Sequence, residues 1–162
     1  MTVNLGQMTE EMKKEPKRYS SEEFNLQSML VEEPSGTYFP QSFDIIKLSR
    51  QGIIKQFLLD LAEKLSITMQ ELAKVLHVSE RTLQRYSSSE KLSSDTSERA
   101  LLLAQLYRRG ITVLGSANNF KDWLKTPLPA FQQQAPLSFL DTAFGFSLVS
   151  DELGRIEYGI FA

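Results

Sequence analysis

The stretch from Met69 to Tyr86 constrains the fold of this chain more than any other part of the sequence. Its apolar residues recur at three- and four-residue intervals on both sides of a break near His77, which predicts two short amphipathic helices joined by a tight turn. Ala73 supplies a small side chain where two such helices would pack closest. His77 stands where glycine is usual, and histidine is one of the few other residues enriched in left-handed backbone. The stretch therefore has the layout of a helix-turn-helix.

Helix-start signals support this interpretation. Thr68 and Glu71 have the spacing of a capping box, in which a threonine hydroxyl and a glutamate carboxylate exchange hydrogen bonds with backbone amides. Ser79 is a good N-cap for the second helix. Leu83 and Tyr86 are then placed to pack that second helix against the first.

Helical patterning continues outside this stretch. Apolar residues recur at helical spacing over 43–65 with a break at Gly52, over 94–107 and 144–156, and over two shorter stretches, 111–114 and 120–124. Arg108 and Arg109 followed by Gly110 indicate the end of the helix that begins near Ser94, with the glycine as its C-cap. Since β-branched residues never alternate along the chain, we expect an all-α fold, a helix-turn-helix bundle followed by a small helical C-terminal domain.

The first 41 residues differ in composition from the rest. They are rich in Glu, Lys and Ser, poor in apolar residues and interrupted by prolines, which favours a flexible tail. We therefore divide the chain into a tail over 1–41, a helix-turn-helix domain over 42–110, and a C-terminal domain over 111–162.

Several classes of protein are excluded by composition. The absence of cysteine removes disulfides, thiolate metal sites and cysteine nucleophiles. The one histidine lies in the predicted turn, and the sequence shows neither a phosphate-binding glycine loop nor a metal-ligand cluster, so we expect no catalytic residues and no cofactor. No apolar run reaches the length of a membrane span, and the first residues do not resemble a secretory signal, which favours the cytoplasm.

The second helix of the predicted helix-turn-helix presents a polar face. The side chains expected to point outward there are Glu80, Arg81, Thr82, Gln84 and Arg85. The first turns of a recognition helix reach base edges in the major groove, where arginine suits guanine and glutamine suits adenine. Ser79 and Lys91 are better placed to hold phosphates. The alternative is an ordinary helix pair whose arginines are merely solvated.

The charge of the chain limits how DNA could be bound. The formal net charge is −2, whereas a strongly basic domain would carry its own electrostatic signature of nucleic-acid binding. Residues 1–40 hold four basic and seven acidic side chains, so the remainder is close to neutral. We therefore expect DNA binding to rely on local arginine and lysine in a homodimer and to weaken steeply with salt.

A succession of motifs now points to a family. In chain order these are Ser79–Tyr86, Lys91–Ser93, Ser97–Ala100, Asp122–Leu124 with Thr126-Pro127, Ala135–Thr142 with Gly145, and Arg155–Ala162. Together they resemble the Xre/MbcA/ParS-like antitoxins of RES–Xre type II toxin–antitoxin systems over roughly residues 43–162. The sequence departs from that pattern at 130–134, where a glycine-rich turn is usual.

This resemblance implies a division of labour. The helix-turn-helix domain over 42–110 would bind the operator of its own operon and help to dimerise, and residues 111–162 would form the toxin-binding domain. The partner would be a RES-domain toxin that consumes NAD⁺ or transfers ADP-ribose from it. The antitoxin, not itself an enzyme, would cover the toxin's active site.

The end of the chain carries the residues we expect to contact such a toxin. They are Arg155, Glu157, Tyr158, Gly159 and Phe161. Aromatic and arginine side chains are the commonest anchors of protein interfaces, and the glycine provides a bend. The alternative is that Tyr158 and Phe161 pack into the small core of their own domain, where we also place Trp123.

Two other functions fit the sequence. One is a stand-alone helix-turn-helix transcriptional regulator whose C-terminal domain dimerises or senses a signal. The other is a protein-binding module that has lost contact with DNA, a reading that the low net charge favours.

Overall fold

A computed structural model describes residues 42–159 of the chain. The helices of this part are α1 (Ser42–Gln51), α2 (Lys55–Leu65), α3 (Met69–Leu76), α4 (Glu80–Arg85), α5 (Ser94–Leu114), α6 (Ala117–Lys125) and α7 (Ala143–Glu157), with 3-10 turns at Pro129–Phe131 and Pro136–Phe139. Between residues 42 and 159 the only β pairing consists of two isolated bridges. The predicted all-α fold is confirmed. The predicted tail over 1–41 and Phe161 lie outside the described residues.

The first two helices meet at the predicted break. Gly52 has a φ of 78°, in the left-handed region that favours glycine, and its amide donates to the carbonyl of Leu48. A Cβ on Gly52 would lie 2.5 Å from the carbonyl oxygen of Leu92. The break therefore has two causes, a left-handed backbone and a close approach to the segment that precedes α5.

The long helix α5 organises the molecule. It packs against α1, α2 and α3 on the N-terminal side and against α6 and α7 on the C-terminal side. Its buried residues, among them Leu101, Ala104 and Tyr107, belong to a single apolar cluster that also includes Leu83 of α4 and Leu153 of α7. One continuous core therefore joins the two halves of the described chain.

Gly110 does not end this helix, contrary to the sequence prediction. The helix continues to Leu114 and ends at Gly115, which has a φ of 83°. Gly110 is buried inside the helix, one turn before its end, where a Cβ would lie 2.0 Å from Cδ2 of Phe120. Its function is to let the ring of Phe120 approach the backbone. Residues 111–114 therefore belong to α5, and the predicted domain boundary at 110 falls inside one helix.

A chain of aromatic rings fills the C-terminal half. Phe120 meets Tyr107 edge-on with ring centroids 6.1 Å apart and stacks with Trp123 at 6.0 Å. Trp123 then meets Phe131, and Phe131 meets Phe139 at 5.4 Å. Trp123 is only partly buried but packs against this core, as predicted.

The turn that lacks the expected glycine still has a left-handed backbone. Gln132 and Gln133 have φ values of 54° and 62°. An isolated bridge between Leu128 and Gln134 closes the turn. Two glutamines thus take the conformation that glycine takes at lower cost.

Candidate functional site

The capping box predicted at the start of α3 is present. The amide of Glu71 donates to the Thr68 hydroxyl at 3.2 Å, and the amide of Thr68 donates to the Glu71 carboxylate at 2.7 Å. The hydrogen bond from the Thr68 amide is the main cause that lowers the pKa of Glu71, with help from the Thr68 hydroxyl, Lys125 and Lys74 and against the effect of burial. The start of α3 is therefore fixed by two residues three positions apart.

The turn between α3 and α4 is closed by a left-handed histidine, as predicted. His77 has a φ of 55° and a ψ of 38°. Its amide donates to the carbonyl of Lys74 at 3.2 Å, and the amide of Val78 donates to that of Ala73 at 3.1 Å. This pair of bonds is a Schellman motif, which satisfies two of the last carbonyls of α3. The imidazole Nε2 also contacts the carbonyl oxygen of Asp141, in the C-terminal half.

The N-cap of α4 is the predicted one. The Thr82 amide donates to the Ser79 hydroxyl at 3.0 Å, and the two hydroxyls lie 2.7 Å apart. Leu83 is buried and Tyr86 is half-buried, so this side of the helix faces α3 and the core. The opposite side is left to solvent.

The exposed side of α4 carries the residues predicted to read DNA. Arg81 and Arg85 are exposed, and neither guanidinium makes a hydrogen bond or ion pair with another described residue. Gln84 is also exposed, and its amide donates to Glu80 one turn earlier at 3.2 Å. The structure therefore brings Glu80, Arg81, Gln84 and Arg85 to the accessible side of α4, with Thr82 half-buried beside them.

Lys91 lies beyond this helix in a segment that is tied to α2. It forms an isolated bridge with Ile54, and the next amide, that of Leu92, donates to the carbonyl of Ile53 at 2.9 Å. The Lys91 side chain is exposed. One residue that sequence reasoning missed is Lys55, whose ammonium contacts the end of α4. Nothing in the local sequence pattern marks it, because its partners lie about thirty positions away.

The second cluster of predicted residues lies on α7. Tyr158 is 77% exposed at the end of this helix, and Arg155 is exposed one turn before it. Phe144, at the start of the same helix, is 90% exposed, and Leu148 is 41% exposed. Together with Asp151 these residues follow steps of four and three positions, so they form one stripe, here called the α7 stripe. Within residues 42–159, Tyr158 does not pack into the core.

Arg155 and Glu157 each form an ion pair within the chain. Arg155 pairs with Glu152 on its own helix at 3.0 Å. Glu157 lies 3.6 Å from Arg109 of α5, whose guanidinium also donates to the Ser150 hydroxyl at 2.6 Å. Glu157 therefore contacts α5 of its own chain at the last turn of α7.

Gly159 supplies the predicted bend. It has a φ of 65°, and its amide donates to the carbonyl of Ile156 at 3.1 Å, which ends α7. Open space surrounds the position of a Cβ, so the backbone conformation alone favours glycine there. The predicted contact residue Phe161 lies outside the described residues.

Two family descriptions match consecutive parts of this chain. Residues 44–105 match the family described as antitoxin Xre-like helix-turn-helix domain, and residues 109–159 match the antitoxin Xre/MbcA/ParS C-terminal toxin-binding domain. The chain belongs to the Xre/MbcA/ParS antitoxins. It is an antitoxin of a toxin–antitoxin system, with a helix-turn-helix followed by a toxin-binding domain. The family inferred from the succession of motifs is confirmed.

A relative of this antitoxin supports the assignment. This chain is similar to the Prs ADP-ribosylating antitoxin of Sphingobium sp. (strain YBL2), with 27% identity over 135 residues. The matched region covers 77% of this chain and 85% of the relative. Over residues 42–159, no helix of the antitoxin is long and apolar enough to cross a membrane.

Proposed function

We propose that this antitoxin binds the operator DNA of its own operon through α4 and silences a RES-domain, NAD⁺-consuming toxin through the end of α7. The two activities use helices on either side of α5 in the chain, since α4 precedes it and α7 follows it. The observation that supports the proposal best is the exposure of two arginines on α4, Arg81 and Arg85, and of Arg155 and Tyr158 at the end of α7. Both groups of side chains are therefore accessible to a partner.

The DNA half of the proposal depends on Arg81 and Arg85. Both are exposed and unengaged among the described residues, on a helix whose other side is buried through Leu83. Gln84 and Thr82 lie between them and add donors and acceptors for base edges. Ser79 and Glu80 flank the first turn, where the Ser79 hydroxyl already caps the helix.

A homodimer is part of this proposal. The chain has a net charge of −2, so a single helix-turn-helix has little electrostatic attraction for DNA. Helix-turn-helix dimers bind two half-sites about one helical turn apart, which doubles the number of contacts. Because operon DNA lies in the cytoplasm, we also propose that compartment for this antitoxin. Light scattering of the purified antitoxin tests the dimer; a monomer at micromolar concentration would contradict it.

A salt-titrated binding assay tests the DNA half. The probe is the DNA directly upstream of the antitoxin gene, compared with an unrelated duplex of equal length. Arg81→Ala and Arg85→Ala should each weaken binding by about tenfold, since a paired contact to a base contributes about 1–3 kcal/mol of discrimination. Arg155→Ala, at the far end of the chain, is the matched control and should bind like wild type. Unchanged binding by both α4 variants would exclude α4 as the recognition helix.

The toxin half of the proposal depends on Tyr158. A tyrosine with 77% of its surface exposed at the end of a helix is available as an interface anchor. Arg155 can contact the toxin beside Tyr158, because an exposed ion pair such as that with Glu152 contributes little to stability and can be replaced by a contact with the toxin. The name of the Sphingobium relative couples an antitoxin with ADP-ribosylation, a reaction whose donor is NAD⁺. This favours an NAD⁺-consuming enzyme as the partner.

The α7 stripe extends the proposed contact beyond the chain end. Phe144 precedes Tyr158 by fourteen positions, about 21 Å along a helix. A phenylalanine exposed to 90% beside a partly exposed Leu148 is the kind of apolar surface that marks an interaction site. We propose that the toxin covers the whole stripe, with Tyr158 nearest its nucleotide cleft.

Co-expression with a neighbouring RES-domain reading frame tests the toxin half. NAD⁺ consumption by the co-purified complex is measured for wild type, Tyr158→Ala and Phe144→Ala. Tyr158→Ala should lose neutralisation by about thirtyfold or more, the size expected for an anchor residue, and Phe144→Ala by less. Arg81→Ala is the matched control and should neutralise fully. Point substitutions are preferable to deletion of the last helical turns, because such a deletion would also remove Leu153, which is buried in the core.

One result would refute the insertion mechanism. If Tyr158→Ala and a variant lacking residues 160–162 both neutralise as well as wild type, the end of the chain does not block the toxin. The antitoxin itself is proposed to have no catalytic activity, so NAD⁺ consumption by the isolated antitoxin would contradict the proposal as well.

A further inference from the structure

The N-terminus of α2 is capped by backbone carbonyls of the segment that follows α4. The residue before α2, Ile54, has no side chain that can accept a hydrogen bond. The amides of Lys55 and Gln56 donate instead to the carbonyls of Glu90 and Ser88, at 3.0 and 2.9 Å. Two of the amides that a helix start leaves unsatisfied are thus bonded by this segment.

The C-terminus of α4 in turn receives a cap from α2. The ammonium of Lys55 donates to the carbonyl oxygen of Tyr86 at 2.7 Å, with a longer contact of 3.5 Å to that of Gln84. The first residue of a helix is an unfavourable place for a cation, because the helix dipole is positive there. The last carbonyls of α4 are a favourable place, because they carry the negative end of that helix. The position of Lys55 is explained by α4 and not by α2.

Helix α4 needs this contact more than its neighbours do. Helices α2 and α3 end in left-handed residues, Ser66 and His77, whose closing bonds satisfy their own last carbonyls. The residue that follows α4, Tyr86, is extended with a ψ of 138°, so no such turn closes this helix. With six residues it is also far too short to be stable without tertiary contacts.

We propose that Lys55 is a positioning residue for DNA recognition, which fixes the C-terminal end of α4 and thereby aims Arg81 and Arg85 without touching DNA itself. The inference rests on the proposed DNA binding by α4. Lys55 is half-buried and directs its ammonium at carbonyls of its own chain. Its removal should therefore loosen the end of the helix and reduce discrimination between DNA sequences, whereas loss of a phosphate contact would weaken binding to all sequences alike.

Three variants of the full chain separate these possibilities. Lys55→Met keeps the apolar stem and removes the ammonium, and Lys55→Arg keeps donors for the carbonyls. Lys64→Met removes the same charge from the other end of the same helix and is the matched control. Each is tested on the upstream DNA fragment and on an unrelated duplex, and melting temperature and toxin neutralisation are measured alongside.

The expected result is selective. Lys55→Met should bind the upstream fragment about tenfold more weakly, with little change on the unrelated duplex, because base discrimination and not phosphate attraction is lost. Lys55→Arg should recover most of the affinity, and Lys64→Met should match wild type. All three should neutralise the toxin. An equal loss on both DNAs would show Lys55 to be a phosphate contact, and no loss at all would show it to be irrelevant; either result overturns the inference.

Amide hydrogen exchange tests the same contact without DNA. The amides from Leu83 to Tyr86 should exchange faster in Lys55→Met than in wild type or Lys64→Met, since the end of α4 has lost its cap. Identical exchange would refute the positioning function. If the wild-type chain binds no DNA at all, the proposed DNA binding fails and the inference about recognition falls with it, whatever the exchange shows.

Discussion

In the helix-turn-helix, the residues that fix each helix start lie three positions apart, whereas in the C-terminal half the decisive contacts join distant parts of the chain. Thr68 bonds to Glu71 and Ser79 bonds to Thr82. By contrast, Gly110 receives the ring of Phe120, and Arg109 reaches across to α7. The starts of α3 and α4 are therefore specified locally, whereas the packing of α5 against α6 and α7 depends on tertiary contacts, and the two kinds of contact should respond differently to substitution.

The largest expected effect is in the packed half. Phe120→Ala removes a fully buried ring that stacks with Trp123 and lies on the backbone of Gly110. Truncation of a core phenylalanine costs about 3–5 kcal/mol, because it loses transfer free energy and leaves a cavity. The free energy of unfolding, measured in urea, should fall by that amount.

The same residue type offers a control for this prediction. Phe144→Ala, in the same half but 90% exposed, should change the free energy of unfolding by less than about 0.5 kcal/mol. Trp123 is the one tryptophan, so its fluorescence reports the C-terminal half while circular dichroism reports all helices. Because α5 joins both halves in one core, the two signals should change together. Separate transitions would show that the halves unfold independently.

A smaller effect is expected from the locally specified caps. Thr68→Ala removes the hydroxyl that accepts from the Glu71 amide at the start of α3. Loss of such an N-cap costs about 1 kcal/mol, well below the loss of a core ring. Thr68→Ser should retain most of the stability. Thr112→Ala is a fair comparison, because that hydroxyl only donates to a carbonyl of its own helix and its loss should be nearly neutral. A cost for Thr68→Ala as large as that for Phe120→Ala would break the contrast between local caps and tertiary contacts.

The same contrast explains what the sequence could reveal. The capping box at Thr68, the left-handed His77 and the break at Gly52 were all predictable, because each depends on residue types at short spacing. The polar face of α4 followed from the periodicity of Leu83 and Tyr86. The caps and the turn of the helix-turn-helix are thus determined by residues within a few positions of each other.

The sequence could not reveal contacts whose partners are distant. Gly110 has the sequence context of a helix end, and only the ring of Phe120, brought back by the next helix, shows why glycine stands inside α5. Lys55 looks like an ordinary surface lysine until α4 is placed beside it. The exposure of Phe144 was equally hidden, since an apolar residue in a helical pattern is normally assigned to the core.

The smallest effect is a pH dependence at the point where the two halves meet. The amide of Thr68 is the main cause that lowers the pKa of Glu71 below its usual value of 4.5, while Lys125 of α6 adds a weaker influence from the other half. A carboxyl whose pKa is lower in the folded than in the unfolded chain stabilises the fold above about pH 4.5. This contribution is lost as the pH falls below that value and through the folded pKa.

Glu71→Gln isolates this contribution. The difference in free energy of unfolding between wild type and Glu71→Gln should be constant above pH 5 and shrink toward pH 3, with a total change below about 1 kcal/mol because the carboxylate is only partly buried. Carboxyl NMR of wild type should give Glu71 a pKa below 4.5, and Lys125→Met should raise it only slightly. A large rise in Lys125→Met would show that the distant contact outweighs the local one even at this cap. The contrast between local caps and tertiary contacts would then fail at the Thr68–Glu71 capping box, its clearest example.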